Sequence, residues 1–68
     1  MKNTIKVERA KNNITQAQLA ELANVTRQTI NAMELGKYAP STVLALKLAS
    51  IFKVEVSVLF SLEESDWG

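Results

Sequence analysis

The chain has 68 residues, 47% of them hydrophobic, with two glycines, one proline, and neither cysteine nor histidine. A single domain of that length buries only about 60% of the surface its unfolded chain exposes, and without cysteine or histidine it has no disulfide, no usual zinc ligand set and no thiolate or imidazole chemistry. Net charge is +1 but unevenly laid out: residues 1–53 hold all eight basic residues and three acids, whereas residues 54–68 hold four acids and no base.

No stretch approaches the ~18 uncharged apolar residues of a membrane span, and no apolar run follows the lysines of Met1–Lys6 that would make an export signal. The expectation is a soluble, cytoplasmic protein with no membrane and no metal among its partners.

In chain order, strong helix formers run from about Asn3 to Asn12, and Asn13 tolerates the left-handed conformation that ends a helix. Thr15-Gln16-Ala17-Gln18 fits a capping box, so a second helix starts there, with Leu19, Ala20 and Ala23 on one buried stripe. Asn24-Val25-Thr26 predicts a tight turn, with Thr26 as the N-cap of a third helix from Arg27 to about Glu34. Ile30 and Met33 take its inner face and Gly36 closes it. Arg27, Gln28, Asn31 and Ala32 are left facing outward.

Pro40 marks a loop and Ser41 the cap of a fourth helix, about Thr42 to Phe52, with Leu44, Leu48, Ala49 and Phe52 inward. Val54-Glu55-Val56-Ser57-Val58 alternates as a strand would; a short fifth helix, Val56 to Leu62, is nevertheless expected. The reading is one domain over residues 1–62 and a frayed acidic tail over 63–68.

Several segments together carry a family resemblance: Thr15-Gln16-Ala17-Gln18-Leu19-Ala20, Val25-Thr26-Arg27-Gln28-Thr29-Ile30-Asn31, Glu34-Leu35-Gly36-Lys37, Pro40-Ser41 and Ala45-Leu46-Lys47-Leu48-Ala49. The chain resembles the Cro/C1-type (XRE-family) helix-turn-helix regulators over about residues 3–60. That resemblance implies an all-α, compact five-helix bundle of the lambda-repressor-like DNA-binding type. It implies a transcription regulator that needs no cofactor, binds double-stranded DNA and represses as a homodimer on a palindromic operator.

A helix-turn-helix needs a short rigid turn so that its first helix lies across the DNA backbone while its second enters the major groove. Arg27, Gln28 and Asn31, near the start of that second helix, are the candidate base contacts. Arginine can donate twice to guanine, and glutamine or asparagine can pair with adenine. Gln16 resembles the family's phosphate-contacting glutamine, and Thr26, Thr29, Lys37 and Tyr38 are further phosphate candidates. Arg9 and Glu34 match family positions that form a structural ion pair. Val56, Val58, Leu59, Phe60 and Leu62 offer more apolar surface than a five-helix monomer can bury, so the dimer interface is expected there.

The sequence departs from the family pattern in places. Glu8 and Ala23 stand where large apolar residues are usual, while Val7, Leu22 and Val43 are apolar at positions usually polar. Either the helices rotate slightly or an apolar patch is exposed. Glu55 stands where a serine or threonine normally caps the fifth helix. A rival reading is a protein-interaction module, such as an antitoxin or adaptor, with secondary DNA binding. An enzyme is a weaker rival, because no nucleophile–base pair or metal cluster can be nominated.

Overall fold

The computed structural model describes residues 1–68, and three of its helices begin where short polar side chains can stand in for missing backbone acceptors. Thr15 opens α2 (Gln16–Ala23): its hydroxyl accepts from Gln18 N at 3.0 Å while Gln18 Oε1 accepts from Thr15 N at 2.8 Å. Thr26 caps α3 (Arg27–Glu34) through Thr29 N, and Ser41 caps α4 (Thr42–Phe52) through Leu44 N. Each such cap is worth about 0.5–2 kcal/mol.

The stops are equally local. Asn13 ends α1 (Ile5–Asn12) and Asn24 ends α2, both left-handed as the sequence predicts. Gly36, at φ +74°, closes α3 by donating to Met33 O at 3.0 Å, while Lys37 N donates to Ala32 O at 2.9 Å. A third left-handed residue other than glycine is unexpected: Lys53, at φ 56°, ends α4. That conformation crowds Cβ against the backbone in any residue but glycine.

The apolar stripes converge on one core. Leu19, Ala20 and Ala23 of α2, Ile30 and Met33 of α3, and Leu44, Leu48, Ala49 and Phe52 of α4 are all buried, with Ile5 and Leu59 completing the core. α2 packs on both α3 and α4, so the core clamps the helix-turn-helix pair against the rest of the bundle. Each fully buried large side chain contributes roughly 1.5–3 kcal/mol relative to exposure.

Three expectations are corrected. The first helix begins at Ile5, not Asn3, because Lys2–Asn3 forms a short strand, β1, and Asn3 Oδ1 instead accepts from Ile5 N at 3.2 Å. The fifth helix, α5, spans Val56–Leu59 and not Val56–Leu62. Phe60–Ser61 turns into a second strand, β2, antiparallel to β1 with Lys2 opposite Ser61 and Asn3 opposite Phe60. Thr4 then satisfies the end of α5: its N–H donates to Leu59 O at 2.9 Å and its hydroxyl to Val58 O at 3.1 Å. The alternating residues 54–58 form no strand themselves: Val54 and Glu55 lead into α5, which takes up Val56 to Val58.

The acidic tail is the third correction. Glu64–Trp67 forms a 3₁₀ turn capped by Glu63 and Asp66, and Asp66 lies 3.1 Å from the Met1 amino group. The tail is anchored by charge, while Trp67 is exposed. The architecture is otherwise the expected all-α bundle of five helices, joined at the termini by the two-residue strands.

Candidate nucleic-acid interface

The outer face of α3 follows from its caps and its core stripe. With Ile30 and Met33 turned inward and buried, the 3.6-residue period sends Arg27, Gln28 and Asn31 outward, and all three are exposed. Ala32 is half-buried instead of fully outward. Arg27 and Gln28 sit in the first turn of the helix and Asn31 one turn further along, so the three form a polar row at its N-terminal half.

The start of α2 lies beside this row. Gln16 Nε2 donates to Asn31 Oδ1 at 3.1 Å and to Glu34 Oε1 at 3.1 Å, and Arg27 Nη1 approaches Gln16 Oε1 at 3.4 Å. An open hollow, lined by Arg9, Asn13, Thr15, Gln16 and Arg27 among others, runs along this junction. Arg27 and the first turn of α2 border this depression, an arrangement suited to an anion. The two hydrogens of the Gln16 carboxamide are already engaged by its neighbours on α3, a link between the two helices for which no sequence pattern gives a signal.

Arg9 and Glu34 meet as expected. Arg9 Nε donates to Glu34 Oε2 at 2.6 Å and Nη2 to Oε1 at 3.1 Å, with the side chains only 16% and 7% exposed. The third guanidinium nitrogen, Nη1, donates to Ile14 O at 3.1 Å. Burial pushes the Glu34 carboxyl up, but hydrogen bonds from Arg9 and Gln16 and the charges of Arg9 and Lys6 outweigh it, so the group sits below its ordinary value. Its hydrogen bond to Glu34 raises Arg9 further still, against the opposing effect of burial. The pair is ionised and bidentate, joining α1 to the end of α3.

Thr26 and Thr29 hold each other, hydroxyl to hydroxyl at 3.0 Å, so Thr26 serves first as a cap. Lys37 and Tyr38 lie exposed in the loop just past Gly36, and Tyr38 is not packed into the core. Asn3, which no motif singles out, donates through Nδ2 to Met33 O at 2.7 Å and ties the N-terminal strand to the C-terminal end of α3.

The apolar residues divide sharply. Val56, Val58 and Leu62 are exposed and Phe60 is half-buried, but Leu59 is 0% exposed and belongs to the core. Leu59 therefore drops out of any contact surface, because α5 is a single turn whose inward position it fills. Val56 and Phe60 line a shallow hollow with Met1, Pro40, Ala45 and Leu46. Of the apolar departures, Leu22 and Val43 are 61% and 66% exposed and line a second hollow with Leu46 and Ile51; Val7 is exposed but does not line it. Glu8, at the usually apolar position, is buried and receives Lys11 Nζ at 3.3 Å.

Comparison with known proteins agrees with this geometry. Residues 5–59 match the model of a family described as Helix-turn-helix. The chain belongs to this Cro/C1-type helix-turn-helix family. An uncharacterized HTH-type transcriptional regulator of Methanocaldococcus jannaschii is 47% identical over 66 residues, covering 97% of this chain and 100% of the relative. The uncharacterized HTH-type transcriptional regulator YgzD of Bacillus subtilis is 44% identical with the same coverage. A similarly described regulator of Archaeoglobus fulgidus is 42% identical, covering 97% of this chain and 93% of its own length. The family match spans all five helices of this helix-turn-helix protein and stops before β2. No helix is long and apolar enough to cross a membrane.

Proposed function

We propose that this helix-turn-helix protein is a sequence-specific DNA-binding transcription regulator, working in the cytoplasm as a homodimeric repressor on a palindromic operator. The observation that carries the reading is the row of Arg27, Gln28 and Asn31, exposed together at the N-terminal half of α3, with the start of α2 and the Arg9/Arg27 hollow beside it. In that arrangement α3 enters the major groove and its three polar residues meet base edges. The beginning of α2, Thr29 of α3, and Lys37 and Tyr38 of the following loop meet phosphates and set the register. Thr26 contributes mainly by capping α3.

Dimerisation rests on the exposed Val56, Val58 and Leu62 with the half-buried Phe60; of these, Val56 and Phe60 line a hollow with Leu46 and Pro40. A single module of this size gives a modest interface with DNA, and pairing two modules about 34 Å apart on the duplex doubles it. Repression follows from occupancy, since a bound dimer excludes other proteins from the operator.

Selection of bound sequences from a random duplex pool tests the proposal. The expected result is a palindromic consensus, with affinity that falls steeply as salt rises because phosphate counterions are released. Gln28→Ala should relax one position in each half-site. Absence of duplex retention at low salt would reject DNA binding; a non-repeated consensus would reject the dimer.

A further inference from the structure

Donor and acceptor polarity is transmitted from the buried ion pair to the DNA-facing surface. Glu34 is held as an ionised carboxylate by Arg9 at 2.6 Å, and a carboxylate can only accept hydrogen bonds. Arg27 can only donate. The Gln16 carboxamide is bracketed by these two groups of fixed polarity, so Nε2 must face Glu34 and Oε1 must face Arg27, as found at 3.1 Å and 3.4 Å. One hydrogen of Nε2 serves Glu34, and the other reaches Asn31 at 3.1 Å. Asn31 can meet that hydrogen only with its carbonyl oxygen.

We infer that Asn31 is a specificity-determining donor: with Oδ1 turned toward Gln16, its Nδ2 amide reads a hydrogen-bond acceptor on the base edge, and Glu34 and Gln16 are the residues that position it. The inference rests on the DNA-binding reading above. The accepting groups in the major groove are purine N7, guanine O6 and thymine O4, whereas cytosine presents only its N4 amino donor there. Asn31 therefore disfavours cytosine at its position. Without the chain from Arg9 through Glu34 and Gln16, a free asparagine amide would turn either way and tolerate either kind of edge.

Inverting the relay provides the test. In Gln16→Glu, made together with Arg9→Met/Glu34→Leu so that the new carboxylate does not face that of Glu34, position 16 can only accept, so Asn31 must turn its Nδ2 inward and its Oδ1 outward. In Gln16→Met the relay is broken with little change in side-chain length. Sequence selection is run on the unaltered protein and both variants, and Asn31→Ala identifies which base position Asn31 contacts. The quantity read is the ratio of guanine to cytosine at that position within each variant, which a uniform loss of phosphate affinity leaves alone.

The unaltered protein should exclude cytosine about tenfold or more, as one mismatched pair typically does. Gln16→Met should flatten the ratio and Gln16→Glu should reverse it toward cytosine. A ratio unchanged in both variants, or a native preference for cytosine, overturns the inference while leaving DNA binding intact; failure of the unaltered protein to bind any duplex overturns both. Should the variants bind too weakly for selection, the side-chain amide spectrum of the free protein decides. The Gln16 carboxamide protons should show contacts to Asn31 and slowed exchange, both lost in Arg9→Met/Glu34→Leu, and their absence from the unaltered protein overturns the inference.

Discussion

Replacing Glu34 by alanine should destabilise the protein more than removing both members of its ion pair. In Glu34→Ala the Arg9 guanidinium, on a side chain only 16% exposed, keeps only Ile14 O as a partner and remains charged. Stranding one member of a fully buried pair costs about 3–5 kcal/mol. The remaining exposure lets water reach part of the guanidinium, which brings the expected cost to about 2–3 kcal/mol. A domain of this size loses about 4–8 °C of Tm per kcal/mol, so the fall should be about 10–20 °C. In Arg9→Met/Glu34→Leu no charge is left behind and two apolar side chains of similar length fill the site, so stability should stay within about 1 kcal/mol of the original. Thermal melts followed by circular dichroism at neutral pH, low salt and one fixed protein concentration compare the two. A double variant that melts at or below Glu34→Ala would refute the reasoning, since it would mean that the pair's own attraction, and not the stranded charge, dominates.

The same pair should give acid sensitivity. Glu34 is held below its ordinary value in the folded protein, so its stabilising contribution is present above the unfolded carboxylate value near 4.3 and is lost as pH falls through the lower folded value. Denaturant melts from pH 6 to pH 2.5 should show a decline that Arg9→Met/Glu34→Leu lacks in part; parallel curves would discount Glu34 as its source. Leu59→Ala should cost about 2–5 kcal/mol, because the side chain is fully buried, and should leave the domain largely unfolded at 37 °C. Val58→Ser, one position earlier and exposed, should leave the folding free energy per protomer nearly unchanged but weaken self-association in sedimentation; a fall in protomer stability as large as that of Leu59→Ala would contradict the assigned inward face of α5. Lys53→Gly removes a side chain from a left-handed position and should raise stability by about 1 kcal/mol in urea melts; a loss would show that the conformation carries no strain there.

Much of the scaffold was legible from local chemistry. Thr15, Thr26 and Ser41 announce the starts of α2, α3 and α4, and Asn13, Asn24 and Gly36 announce stops, because caps and left-handed turns are decided by side chains within a few positions of the backbone they serve. The apolar stripes of α2, α3 and α4 obey the same helical period that turns Arg27, Gln28 and Asn31 outward. The stop at Lys53 carries no sequence signal, because lysine is not a residue that the left-handed region favours. The end of α5 is illegible in the sequence for a different reason. The backbone of residues 58–61 is satisfied by residues 2–4, Thr4 and Val58 being 54 positions apart, and no local pattern reports a partner so distant.

The chain's sequence by itself therefore determined which helices form, which faces they bury and which three polar residues α3 turns to solvent. Tertiary structure alone decided what those residues can say. The Gln16 amide takes its direction from a carboxylate on α3 that is itself held by an arginine on α1, and Asn31 takes its direction from Gln16. A hydrogen bond depends on ångström distances and on which atom faces which. Both arise only when three separate helices have packed around one core.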